Sequence, residues 1–217
     1  MALSKFEYNS FDVTPVASNA FAFNSTPNGL TTAASGSLNL IKTQTASGAS
    51  SVDFTHGTSD VVFDGTYDTY MFKFINIHPS NENIGFSYNF STDGQSTAAV
   101  KTTVHWRSFQ NESGSGGVLD YQGAKDLANA AGDQPITWDM ESDNDASVSG
   151  ELFVFSPSST TFVKHFMHRS NGMHSNPAVF TNFSAGYVNV TAAVNSVRFL
   201  TTSNTFDGTI KLYGITK

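Results

Sequence analysis

Ile84, Phe86, Tyr88 and Phe90 occupy every second position of one short run, with Gly85, Ser87 and Asn89 between them. A period of two belongs to an extended strand, whose successive side chains point to opposite sides; here one side is aromatic and the other small and polar. Such a strand is half-buried and belongs to an antiparallel sheet. The run TYMFKFINI has the same phase, with Tyr70, Phe72 and Phe74 on one face and Met71, Lys73, Ile75 and Ile77 on the other. Both faces are substantially apolar, which places this strand centrally, and Pro79 ends it by removing a ladder donor. Val100 to Phe109 puts Val100, Thr102, Val104, Trp106 and Ser108 on one side, and Trp106 is expected in the core.

The second half keeps this rhythm. Extended runs are expected at Pro135 to Met140, Val148 to Phe155, Thr160 to His168, Tyr187 to Thr191, Ser196 to Thr202 and Gly208 to Ile215, with turn residues between them. Such spacing suits an all-β, antiparallel β-sandwich of the jelly-roll-like kind. One or two helical turns are expected only at Gly123 to Ala131, as a loop insertion. With 217 residues the chain can build one substantial β-domain with an arm, but not two full domains.

Asn24 to Ser51, by contrast, is dominated by small polar residues, with one apolar patch at Leu38 to Ile41. Alone it buries too little to offset its ordering entropy. Residues 1–50 are therefore expected to form an extended N-terminal arm or assembly segment, and 51–217 the sandwich.

Only 13% of residues are charged, while Ser, Thr and Asn fill about a third of the chain. Sheet edges get little protection from Lys, so neighbouring subunits or short loops are expected to cover them. A net charge of −7 opposes binding to a phosphate backbone, so no nucleic-acid partner is expected. With no cysteine there is no disulfide, thiolate metal site or Cys nucleophile. The start MALSKFEYNSFDV lacks the basic and apolar regions of a secretory signal, and no run approaches a membrane span, so no membrane insertion is expected.

Few residue groups suggest chemistry. Asp139, Glu141, Asp143 and Asp145 alternate in WDMESDNDAS, a spacing that can wrap calcium if extended or form a solvated acidic loop if not. The glycine and terminal glutamate of an EF-hand are missing. His165, His168 and His174 are close enough in sequence to suggest zinc, but in a strand the first two point to opposite faces, and structural roles are the simpler reading. A trimer could instead bring one such His from each subunit to its axis. Trp106, Trp138, Tyr121 and Tyr187 could stack on sugar rings if exposed, with Trp138 and Tyr121 the ligand-binding candidates. The chain has no G-x-S-x-G elbow, phosphate loop or dinucleotide fingerprint, so neither enzyme activity nor a cofactor is expected.

The blocks DGTYDTYMFKFINIHP, SGELFVFSPSSTTFVKHFMHR and FDGTIKLYGI resemble a recurring domain in virion structural and tail-appendage proteins of marine tailed bacteriophages, especially those infecting cyanobacteria. The resemblance covers roughly Leu38 to the C-terminus and brings no catalytic residues with it. It implies a non-enzymatic virion protein made in the host cytoplasm, a compact outer subunit such as a head decoration, cement or short fibre. Its partners would be copies of itself, as a homotrimer or other symmetric oligomer, and other virion proteins met through the arm. The alternative is a tail-fibre module that binds a host receptor or surface glycans. Related fibre proteins often carry such a domain after long repetitive shafts. Here only about fifty residues precede it and no repeat is visible, which favours the compact subunit.

Overall fold

The computed structural model describes residues 37–216, together with the backbone of two short paired strands before them, β1 (Ala20–Phe23) and β2 (Leu30–Ala33). Twelve further strands follow: β3 (Leu38–Ala49), β4 (Ser51–Thr55), β5 (Thr69–Pro79), β6 (Ile84–Ser91), β7 (Lys101–Asn111), β8 (Val118–Tyr121), β9 (Gln134–Met140), β10 (Val148–Phe155), β11 (Lys164–His174), β12 (Ala178–Val188), β13 (Ser196–Thr201) and β14 (Phe206–Ile215). All pair antiparallel, as the alternating patterns require.

The twelve strands form one continuous sheet folded back on itself into two layers. The larger layer runs β3-β14-β5-β10-β11-β12-β7-β8 and the smaller β9-β6-β13-β4. They join where His174 of β11 pairs with Met140 of β9. At the opposite border the chain passes from β3 to β4 around Gly48, and Gln44 Nε2 donates to the Asp53 carbonyl across the gap at 2.6 Å. The result is a nearly closed sandwich.

Aromatic side chains fill the space between the layers. The Phe199 ring on β13 has its centroid within 6.5 Å of Phe54, Phe72, Phe74, Phe86 and Tyr88. Phe72 and Phe74 belong to the larger layer and the others to the smaller, so this cluster bonds the two sheets by apolar burial and edge-to-face packing. Ile210 and Leu212 of β14 are fully buried beside it, as the alternation in FDGTIKLYGI requires.

The expected division at residue 50 falls within paired sheet. β3 pairs with β14 from Leu38 to Ala49, buries Ala46 and lays Ile41 against the core. The rest of the expected arm lies outside the described residues, apart from the backbone of β1 and β2. A chain starting at Ser51 should melt roughly 5–10 °C lower than one starting at Ser37, from the loss of about 2–3 kcal/mol of burial, with β14 left as an edge. Thermal circular dichroism of the two truncations tests this.

Two local expectations change. Ile77 faces the core rather than sharing the outer side with Met71 and Lys73, because Asn76 takes a left-handed φ of 51° and the pairing with β10 slips there. An extra residue reverses the phase of whatever follows. Gly208, the expected start of the last strand, lies inside β14 opposite this bulge, where a Cβ would meet the Asn76 carbonyl at 2.8 Å. The helix expected at Gly123 to Ala131 shrinks to one 3-10 turn, Gly123–Lys125.

Candidate functional site

The half of the larger layer built by β11, β12 and β7 buries a set of polar side chains beside Phe166 and Phe180 and leaves several apolar ones exposed. β7 buries Lys101, Thr103 and His105 while Val104 and Trp106 remain 43% and 36% exposed. β11 buries Lys164, His168 and Ser170 and leaves Met167 48% exposed. β12 buries Asn182 and Ser184 and exposes Val179. A polar side chain can be buried cheaply only if it is hydrogen-bonded, and the two lysines are. Lys164 Nζ donates to the carbonyls of Phe162, Val190 and Thr191, and Lys101 Nζ to Asn89 Oδ1 and the Ala99 carbonyl. Burial lowers both lysines from their ordinary range, Lys101 to about 8 with Asp133 opposing the shift.

Beneath this half lies a buried histidine cluster. The His105 and His168 rings are 5.7 Å apart, with His105 also 5.4 Å from Trp138 and His168 5.5 Å from Tyr88. Tyr88 Oη and His168 Nδ1 are hydrogen-bonded at 3.3 Å. Burial pushes His168 down to about 3, helped by the neighbouring His105. Burial likewise takes His105 to about 4, against the pull of its Asn182 hydrogen bond and Asp126. Both imidazoles are therefore neutral at neutral pH.

The outward face above the cluster sets an apolar row beside a partly charged one. Cross-strand register sets Leu40, Tyr213, Met71, Phe153, Met167 and Val104 in one row from β3 to β7, with Ala185 between the last two. The next row runs Lys211, Lys73, Glu151, Arg169 and then Phe183, Trp106, Tyr121. Trp106 and Phe183 stack at 5.6 Å with planes 10° apart, and Arg169 Nη2 meets Glu151 Oε1 at 2.8 Å. Nine of the eleven large apolar side chains exposed among the described residues lie on this face by register; Val118 and Phe162 are the other two. A shallow groove of about 420 Å³ crosses it between Lys73, Glu151, Arg169 and Thr181.

No family model, curated protein or solved structure matches the chain.

The acidic set does not converge. Asp139 takes a left-handed φ of 52°, which breaks the two-residue phase at the end of β9, and its carboxylate lies 3.8 Å from His174 Nε2. Glu141 is turned back onto its own loop, its Oε1 accepting from the Ser142 and Asp143 amides. Asp143 and Asp145 are exposed. Among the described residues no three His, Asp or Glu side chains are placed to hold a metal ion.

As its alternation requires, β11 exposes His165, beside Tyr187, and buries His168 and His174. His168 has His105 as its neighbour instead of another member of its own run; no spacing signal links residues 105 and 168.

Trp106 lies on the outer face rather than in the core. The period of β7 separates its two sides without saying which one is inward. Tyr121 is exposed and opposite Trp106, its phenol donating to the Asp126 carboxylate. Trp138 is no open platform: Lys125 Nζ lies 4.8 Å and the Arg107 guanidinium 5.4 Å from its ring, with His105 alongside.

Proposed function

We propose that this chain is a non-enzymatic structural protein of a tailed-phage virion. It would be a compact outer subunit that associates with copies of itself and attaches to the particle through the segment before β3. Strand order is compatible with the reading, and the resemblance of the sequence blocks carries it. Leaving out the hairpins β7–β8 and β11–β12, eight strands remain, with β3, β14, β5 and β10 in one layer and β4, β13, β6 and β9 in the other. Numbered from one to eight along the chain, these are 1-8-3-6 over 2-7-4-5, the order of a jelly roll. Jelly rolls serve viral capsids, lectins and cupins alike, so the fold alone does not choose among them. The sequence blocks that resemble phage structural proteins favour the particle, and they fall on β5, β10 with β11, and β14, which are neighbours in the larger layer.

Peptide mass spectrometry and antibody labelling of gradient-purified particles test this. The chain is expected in intact virions at a fixed copy number and accessible to antibody. Its presence only in the soluble lysate would overturn the reading. A chain starting at Ser37 is expected to fold yet fail to enter particles.

The stacked Trp106–Phe183 pair, with Tyr121 opposite Trp106, favours a second reading, a receptor- or glycan-binding module, since exposed aromatic planes suit sugar rings. In that case Trp106→Ala, more than Trp138→Ala, should abolish binding on a glycan array.

A further inference from the structure

We infer that the outward face of the larger layer is the surface on which two copies of this chain pair, about a two-fold axis running along β11. The inference rests on the self-association proposed above and gives it an even order in place of a trimer.

The unequal faces of the sandwich are the first ground. Antiparallel sheets ordinarily turn their polar side to water. The smaller layer does so, with Asp53 and Arg198 outside and bonded to each other at 2.6 Å. In the larger layer β7, β11 and β12 send Lys, His, Asn and Ser inward beside Phe166 and Phe180, and place Val, Met, Phe and Trp among the outward residues. A one-residue shift would reverse this assignment, so register holds the apolar set outside. A concentration of exposed apolar side chains on one face marks an interface.

Self-pairing follows from where the other apolar groups are. A head-to-tail contact needs a second apolar patch elsewhere, and away from this face the described residues offer only Val118 and Phe162 as large exposed apolar side chains. The area suffices. The seven strands from β14 to β8 that overlap about this axis, about 4.8 Å apart and each presenting about three outward residues, cover about 650 Å² per copy and about 1,300 Å² in total, within the range of stable interfaces.

The rows fix the axis. Rotation about an axis along β11 turns the β14–β5–β10 side of one copy onto the β12–β7–β8 side of the other. Lys211 and Lys73 then meet Tyr121 and Trp106, cation over ring, and Phe153 meets the small Ala185. Met167 meets its own counterpart, as does Arg169, whose charge is offset by Glu151 of its own chain. An axis across the strands through the lysine row would set lysine on lysine with no such offset.

Light scattering after size exclusion should give twice the 23.3 kDa chain mass. Trp106→Glu and Met167→Lys should weaken pairing at least 100-fold, and Phe162→Ser should leave it unchanged. Because the chain has no cysteine, Met167→Cys provides a second measurement that keeps the fold near native. A bis-maleimide of about 10 Å reach, the spacing of stacked sheets, should link it into dimers, and Phe162→Cys should stay unlinked. A three-chain mass would overturn the two-fold pairing while keeping self-association. A single-chain mass at all concentrations would overturn both. A two-chain mass with Met167→Cys unlinked would place the interface elsewhere.

Discussion

Phe199→Ala is expected to destabilise the protein by about 3–5 kcal/mol, the cost of removing a fully buried aromatic ring and leaving a void that cannot collapse. The ring joins Phe54, Phe86 and Tyr88 of the smaller layer to Phe72 and Phe74 of the larger, so its loss weakens the contact between sheets rather than one strand. In urea the unfolding midpoint should fall with little change in slope, since both states keep nearly the same exposed surface. A shift below about 1 kcal/mol would mean that the two layers are not held together through this cluster. Phe199→Leu should recover more than half of the loss, because it refills most of the volume.

Acidification should produce the second large effect. His105 and His168 are held neutral in the fold, at about 4 and about 3, against an ordinary value of 6.5. The unfolded chain therefore binds more protons than the native one below pH 6.5. The stability contributed by the neutral imidazoles is complete above that pH and is lost as pH falls toward 4. With both groups involved, the slope approaches about 2.7 kcal/mol per pH unit, so most of a marginal stability disappears within two to three units. His168→Gln should lower the midpoint of acid unfolding and halve the slope. Stability that stays flat between pH 6.5 and 4.5, followed by circular dichroism in urea, would show that the cluster is open to solvent.

The alternation in the sequence carried much of the fold, for a physical reason. In β6 and β14 the residues of one parity are apolar and those of the other mostly small or polar, so phase and direction agree, although β6, expected half-buried, is buried on its polar side as well. In β7 the period was legible and the direction was not. Val104 and Trp106 share one parity, Lys101 and His105 the other, and inspection of that strand alone sends the tryptophan inward. What decides otherwise lies outside the strand: Asn89 and the Ala99 carbonyl satisfy Lys101, while β9 and β11 close over His105. Of the two readings of Asp139 to Asp145, the carboxylate row is excluded for a local reason. A left-handed residue at position 139 breaks the alternation, β9 stops at Met140, and alternate positions no longer share a face. The aromatic pair Trp106 and Phe183 unites residues far apart in the chain, and only strand pairing brings them together.

Both extra hairpins, β7–β8 and β11–β12, are set in at the same border, where the eight-strand scaffold passes from β10 to β9. One enters the chain after the scaffold's fourth strand and the other after its sixth, and neither disturbs the order of the eight. The scaffold thus has a seam at which length can be added without rewiring it, and the surplus emerges as more sheet rather than as loop. Chains sharing the eight strands could differ chiefly in what is spliced into that seam. A designer wanting to display a foreign segment would start at its outermost turn, between Asn111 and Val118.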